Sequence, residues 1–188
     1  MSPRQLFFAP AAEKLRLAEE LHQTYGADFL RHDDLRADLE LLEKYASLLN
    51  SHMAKAGMGE LCVRCAAGCG GCCSLYMAGE TDAVQLLLNM LAGVTVRQGR
   101  SDSGECCYLG EKGCLFTFKP MFCLNYNCRN ILDALPPENI RELEQLTGQL
   151  LSRQYEVEKK LLNLISTRKQ IRISLANYTL FPVAGNQP

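Results

Sequence analysis

A chain of 188 residues with 20 basic against 21 acidic side chains is long enough for one domain that buries on the order of 70% of its unfolded surface. Charge near neutral, with no basic or acidic tail and no tryptophan, leaves no electrostatic footprint for nucleic acid. A core of this size needs no covalent staples, so the reason for ten cysteines lies in their chemistry.

Near the N-terminus the apolar run Leu6 to Ala12 is cut short by Glu13, Lys14 and Arg16, too soon for the apolar core of a signal peptide. No window approaches the roughly 20 apolar residues of a membrane helix. The expected location is cytoplasmic, where thiols stay reduced and clustered cysteines mean metal or redox chemistry.

From Ala11 to about Tyr25 the residues Leu15, Ala18, Leu21 and Tyr25 recur at helical steps, and Gly26 is expected to end the helix. Asp33 or Asp34 is the expected N-cap of a second helix with the stripe Leu35, Leu39, Leu42, Tyr45, Leu49 and Met53. Gly57 and Gly59 break that pattern. Thr81 is expected to cap a short helix through Leu86, Leu87, Leu88 and Leu91, apolar on more than one face and closed by Gly93. Between Gly99 and Cys128 the idiom changes to loop and strand. Cys107-Tyr-Leu and Cys114-Leu-Phe-Thr-Phe predict two short strands around a Gly-bounded turn.

Pro136 and Pro137 suit the first turn of a long last helix with the stripe Leu143, Leu146, Leu150, Val157, Leu161 and Leu164, interrupted by Arg153. Its seam is long enough to pack on the N-terminal helices, on a protein partner or on a second copy in a homodimer. Ile171, Ile173 and Leu175 alternate as a strand would. The expected fold is mainly α: one domain in which helical flanks, 1–58 and 133–188, pack around a central Cys-rich metal-binding segment, 59–132, with a small β-hairpin.

All ten cysteines lie in that segment, in two knots: Cys62, Cys65, Cys69, Cys72 and Cys73, then Cys106, Cys107, Cys114, Cys123 and Cys128. Thiolates are soft ligands suited to zinc and to iron in clusters. A short Cys-x-x-Cys loop delivers two of them from one turn. Cys69-Gly70-Gly71-Cys72 is such a loop, and Cys62-Val-Arg-Cys65 can be another. Buried structural thiols on a helix would give the same steps, but Gly68, Gly70 and Gly71 argue against a continuous helix there. Disulfides are disfavoured by compartment, and the neighbouring pairs Cys72-Cys73 and Cys106-Cys107 cannot close internally without strain.

Cys65-x-x-x-Cys69-x-x-Cys72 also matches the three-cysteine motif of radical S-adenosylmethionine enzymes. Gly71 stands where those enzymes carry an aromatic residue, and no series of strand and helix units follows. His22, His32 and His52 lie in the helical flank with no ligand spacing and read as surface or capping residues. No catalytic triad, phosphate loop or paired carboxylate stands out, so catalytic residues are not assigned.

The run Cys65-x-x-x-Cys69-Gly-Gly-Cys72-Cys73, then Cys106-Cys-Tyr-Leu109, Gly113-Cys114, Lys119-Pro120, Cys123 and Cys128, resembles the bacterial CxxCxxCC proteins, a YkgJ-like zinc- or iron-chelating domain. The resemblance covers about residues 62 to 130. Two features depart from the family: three residues separate Cys65 from Cys69, and its usual Arg-Pro stands as Lys119-Pro120, one residue closer to Cys114. The resemblance implies eight metal ligands, Cys65, Cys69, Cys72, Cys73, Cys106, Cys114, Cys123 and Cys128. Cys62 and Cys107 fall outside that set, with Cys62 or Cys65 as the first ligand.

The expected function is thiolate binding of an iron–sulfur cluster or zinc, with Arg64, Arg97, Arg100, Lys112, Lys119 and Arg129 to offset the charge. Iron–sulfur is preferred because so many sulfurs from distant segments exceed what one closed zinc needs. Two alternatives stand beside it. One is a zinc-stabilised interaction module with the C-terminal seam as its partner surface. The other is an iron–sulfur redox or modification enzyme, since similar cysteine clusters accompany a bacterial flagellin lysine methylase.

Overall fold

The computed structural model describes residues 3–69, 73–97, 104–111, 113–125 and 127–169, with the side chains of 3, 66–69 and 169 excepted. The tail beyond 169, with its expected strand, lies outside them. Pro3–Phe8 forms α1 and Ala11–Leu30 forms α2. α2 runs through Gly26, where the sequence predicts a stop. A mid-helix glycine costs about 1 kcal/mol, whereas burying a phenylalanine contributes roughly 1.5–3 kcal/mol. Phe29 is wholly buried, with its ring 5.9 Å from that of Tyr25, so the extra turn wins.

Asp33–Lys55 forms α3; Leu35, Leu39, Leu42 and Leu49 of the expected stripe are buried, Tyr45 and Met53 are half-buried, and Ala46 is buried beside them. His32 is the N-cap residue, one position before the expected aspartates. Asp33 and Asp34 occupy the first turn, where negative charge complements the helix dipole. Gly57, at φ +67°, turns the chain into α4, Met58–Cys69.

Leu75–Gly79 makes the short α5, and Ala83–Leu91 makes α6. Every residue of α6 is buried, as its apolar character on all faces predicts. Its N-cap is Asp82 rather than Thr81: the Asp82 carboxylate accepts the Gln85 backbone N–H at 2.8 Å. Gly93, at φ +76°, closes the helix as expected.

The hairpin consists of β1, Leu109–Gly110, and β2, Gly113–Cys114, antiparallel with Leu109 opposite Cys114. It is shorter than the sequence predicts, because Phe116 and Phe118 leave the ladder to enter the core. α7, Met121–Asn125, and α8, Arg129–Ala134, follow. Last comes α9, Pro137–Lys169.

α2 packs on α6 and α9 packs on α3, with α9 also touching α6 and α7. Leu143, Leu150, Val157 and Leu161 of the expected α9 stripe are buried, and Arg153 is exposed. The seam is therefore covered within this chain. His52 joins the end of α3 to the start of α9, its Nε2 lying 3.0 Å from the Asn139 carbonyl. Lys160 pairs with Asp38 across the same interface. The fold is mainly α with one small hairpin, and among the described residues no helix is long and apolar enough to cross a membrane.

Candidate metal centre

α4 carries Cys62, Cys65 and Cys69 at helical spacing, so the stretch expected to be non-helical is a helix at least to Cys69. Alanine and leucine favour the helical state in this stretch, and tertiary contact offsets the glycine cost. Gly59 belongs to that contact. A Cβ built on Gly113, which sits at φ +111°, would lie 3.1 Å from the Gly59 Cα. Only glycine lets the hairpin backbone approach the helix so closely while holding a left-handed φ. That approach places Cys114 of β2 near enough to Cys62 of α4 for a charge on Cys62 to add to the rise of the Cys114 thiol.

The two cysteine knots are tied by main chain. The Cys106 N–H donates to the Cys73 carbonyl at 2.9 Å and the Leu75 N–H to the Gly104 carbonyl at 2.9 Å, around an antiparallel bridge between Ser74 and Glu105. Cys62, Cys65, Cys73 and Cys128 then wall one small void together with Leu61, Asn130 and Ile131. Asn130 Nδ2 donates to Cys65 Sγ at 3.2 Å. Cys128 immediately precedes α8, and Cys123 is exposed on α7. Cys107 is different: it is 3% exposed and belongs to the hydrophobic core.

The eight described cysteines are thiols rather than disulfides. The side chain of Cys69 and all of Cys72 lie outside the described residues, as does the Gly70-Gly71 loop. Among the described residues, no group of three or more His, Cys, Asp and Glu side chains is already set at metal-binding positions. His22 lies on α2, His32 immediately before α3, and His52 on α3.

Burial dominates the electrostatics. It pushes the Cys106 thiol up to about 11, with the neighbouring Cys114 and Cys107 adding to the rise. It also raises Cys114 and Cys107. Lys119 is the cation that answers. Burial lowers its own pKa, while Cys114, Cys123 and Cys62 act to raise it. Of the other expected cations, Arg64 and Arg129 point outward into pairs with Glu60 and Asp133. Arg97 is exposed, and Arg100 and Lys112 lie outside the described residues.

Lys119 is held by a set of amide side chains that sequence reasoning missed. Asn89 is fully buried and grips the Phe118 backbone from both sides: its Nδ2 donates to the Phe118 carbonyl at 2.9 Å and its Oδ1 accepts the Phe118 N–H at 3.0 Å. Gln85 Nε2 donates to the same carbonyl at 2.6 Å. Asn50 Nδ2 donates to the Thr117 carbonyl at 3.2 Å, and its Oδ1 accepts Lys119 Nζ. The available signal was Gln85 and Asn89 four residues apart inside a leucine-rich helix, since a polar side chain is tolerated there only with its partners supplied.

Comparison with family models, curated proteins and solved structures finds no match.

Proposed function

We propose that this chain is a thiolate metal-centre protein holding an iron–sulfur cluster or zinc. The observation that carries the reading is the single void walled by Cys62, Cys65, Cys73 and Cys128, three separate stretches of chain, with an amide N–H on one sulfur. Thiols kept only as small hydrophobes would stand among aliphatic side chains, as Cys107 does. Here they stand together, beside Lys119 and Asn130.

The donor set suits a borderline or soft metal: sulfur throughout, an N–H donor of the kind that orients bound thiolate, and one nearby cation. Desolvation that raises Cys106 and Cys114 in the absence of a cation would be reversed by one, because a coordinated thiol is deprotonated outright. Bound there, a cluster would supply electron-transfer or substrate-activating chemistry, and zinc would supply folding energy. Cys62 stands within the group and Cys107 apart from it, so the ligand candidates become Cys62, Cys65, Cys73, Cys106, Cys114, Cys123 and Cys128, with Cys69 and Cys72 from the expected set. Iron–sulfur remains preferred, by the number of sulfurs. The resemblance to the CxxCxxCC proteins supports the metal reading and leaves the modification-enzyme reading open.

Anaerobic purification with optical spectroscopy and iron, sulfide and zinc analysis tests this. Iron with acid-labile sulfide is expected; stoichiometric zinc in a colourless protein would replace the cluster by zinc. Cys65→Ser and Cys114→Ser are expected to lose metal and Cys107→Ser to keep it. Full metal content and unchanged melting in both ligand variants would sink the assignment.

A further inference from the structure

A second cavity lies away from the thiols, between α1, α7, α9 and the start of α6. Its volume is about 240 Å³. A cavity of roughly 150 Å³ holds benzene, and drug-sized ligands need about 300 Å³ or more. The space therefore suits one ring with a short side chain and excludes a nucleotide. Phe7, Phe8, Phe122 and Tyr155 line it, and aromatic side chains of this kind pack well against another ring. Phe8 is 72% exposed and Tyr155 38% exposed, so a ring seated there takes aromatic surface out of water.

The cleft also has a polar wall in Gln154 of α9, which is only 3% exposed. Gln154 Nε2 donates to Gln85 Oε1 at 2.7 Å, Glu158 Oε1 at 3.0 Å and the Lys119 carbonyl at 3.4 Å. Three acceptors around that atom fix which end of the amide is nitrogen. The other end, Gln154 Oε1, is buried and has no hydrogen-bond partner among the described residues. A buried acceptor left in this state is costly, so it marks a place for a donor. Two carboxylates of the same lining already accept from the protein itself: Glu158 from Gln154 Nε2, and Asp82 from the Gln85 backbone N–H at 2.8 Å. The acceptor left to a ligand is the amide oxygen. It carries no formal charge to offset that of a buried cation, so the donor it suits is neutral.

Aromatic faces, a one-ring volume and an unmet amide oxygen favour the same occupant. We propose that this cleft binds an uncharged one-ring aromatic compound bearing an O–H or N–H donor. Its ring lies among the aromatic side chains and its donor meets Gln154 Oε1. The proposal depends neither on the metal nor on the charge of the carboxylates in the lining.

Calorimetric titration of the full chain with 4-ethylphenol, 4-ethylanisole and 1-ethyl-4-fluorobenzene tests it. The three share ring and ethyl group, and only the phenol has a donor; the ether is larger than the phenol and the fluoro compound is not. The phenol is expected to bind at least about fivefold more tightly than either, the advantage of one hydrogen bond to an acceptor otherwise unmet. Gln154→Met, which keeps the length of the side chain and removes the oxygen, is expected to abolish that advantage while the ether binds as before. Leu151→Trp, which fills the cleft from α9, is expected to abolish binding of all three. Equal affinity for the phenol and the fluoro compound, no binding of the phenol, a phenol advantage that persists in Gln154→Met, or phenol binding that survives Leu151→Trp would overturn the proposal. If either variant fails to fold, the comparison of the three compounds on the unaltered chain decides.

Discussion

Replacing Asn89 by alanine removes the grip of α6 on the loop that carries Lys119, and its cost can be built bond by bond. Asn89 is completely buried, so no water replaces what is lost. The Phe118 N–H is left unpaired, at about 1–3 kcal/mol. The bonds from Asn89 Nδ2 to the Gln85 and Phe118 carbonyls contribute about 0.5–1.5 kcal/mol each. The Phe118 carbonyl keeps Gln85 Nε2 at 2.6 Å, which limits the damage. The expected loss is about 3 kcal/mol, or roughly 6–12 °C of melting temperature for a domain of this size. Urea unfolding of metal-free protein, read at unchanged slope, gives the number. Asn50→Ala, whose partners are less buried, is expected to lose about 1 kcal/mol. A loss below about 1 kcal/mol for Asn89→Ala would mean that Phe118 reaches water and that α6 does not anchor the loop.

Gly113→Ala adds a Cβ 3.1 Å from the Gly59 Cα at φ +111°. It should cost about 1–3 kcal/mol in urea unfolding and lower metal content with it; wild-type values for both would show that hairpin and α4 are not in contact. Asp82→Asn keeps an oxygen for the Gln85 N–H and removes a charge whose desolvation raises its pKa above 3.8, while Lys14 keeps Glu80 as a neighbour. A raised folded pKa gives stability that is present at low pH and lost as pH rises. The variant should therefore gain on wild type as pH rises above the ordinary aspartate range, and parallel pH profiles would contradict the burial of that carboxyl. In metal-free protein the half-buried Cys106, pushed up to about 11, should alkylate far more slowly than the exposed Cys123 near neutral pH, with the gap closing as pH rises. Mass spectrometry of labelled peptides reads this, and equal rates would refute it. Asn130→Ala removes the N–H on Cys65 and should weaken metal binding at least about tenfold in chelator competition; unchanged affinity would place that contact outside the metal centre.

The long helices were legible because their apolar periodicity and their packing agree: the leucines of the α3 stripe, Leu35, Leu39, Leu42 and Leu49, are buried as the spacing predicts. Their ends were less so. Gly26 is a local stop signal that a distant contact of Phe29 overrides, and no window of sequence displays that contact. The same limit hid α4, where Gly59 is there to let a hairpin more than fifty residues away come close. At the site, the cysteines announced themselves by number and spacing, but the split between Cys62 and Cys107 depends on which stretch folds onto which. Cys107 turns into the core with Tyr108, while Cys62 faces β2 across the glycine contact. The burial of Gln154 and Glu158 on α9 was not legible, because periodicity registers where apolar residues recur and not what an occasional polar one faces.

The thiol group and a cleft walled by Phe7, Phe122, Tyr155 and Gln154 meet at a single step of chain. Lys119 interacts with Cys62, Cys114 and Cys123, and the next residue, Pro120, lines the cleft. The Lys119 carbonyl accepts from Gln154, a cleft residue. A turn hydrogen-bonded on both sides should transmit a disturbance in both directions, whereas the contact of Gly113 with Gly59 lies only on the thiol side. Asn89→Ala is thus expected to speed backbone hydrogen exchange in α7 as well as to weaken metal retention, and Gly113→Ala to weaken metal retention alone. If Asn89→Ala disturbs the thiols and leaves hydrogen exchange in α7 at the wild-type rate, the turn bends between its two residues, and cleft and cysteines are mechanically separate despite their proximity.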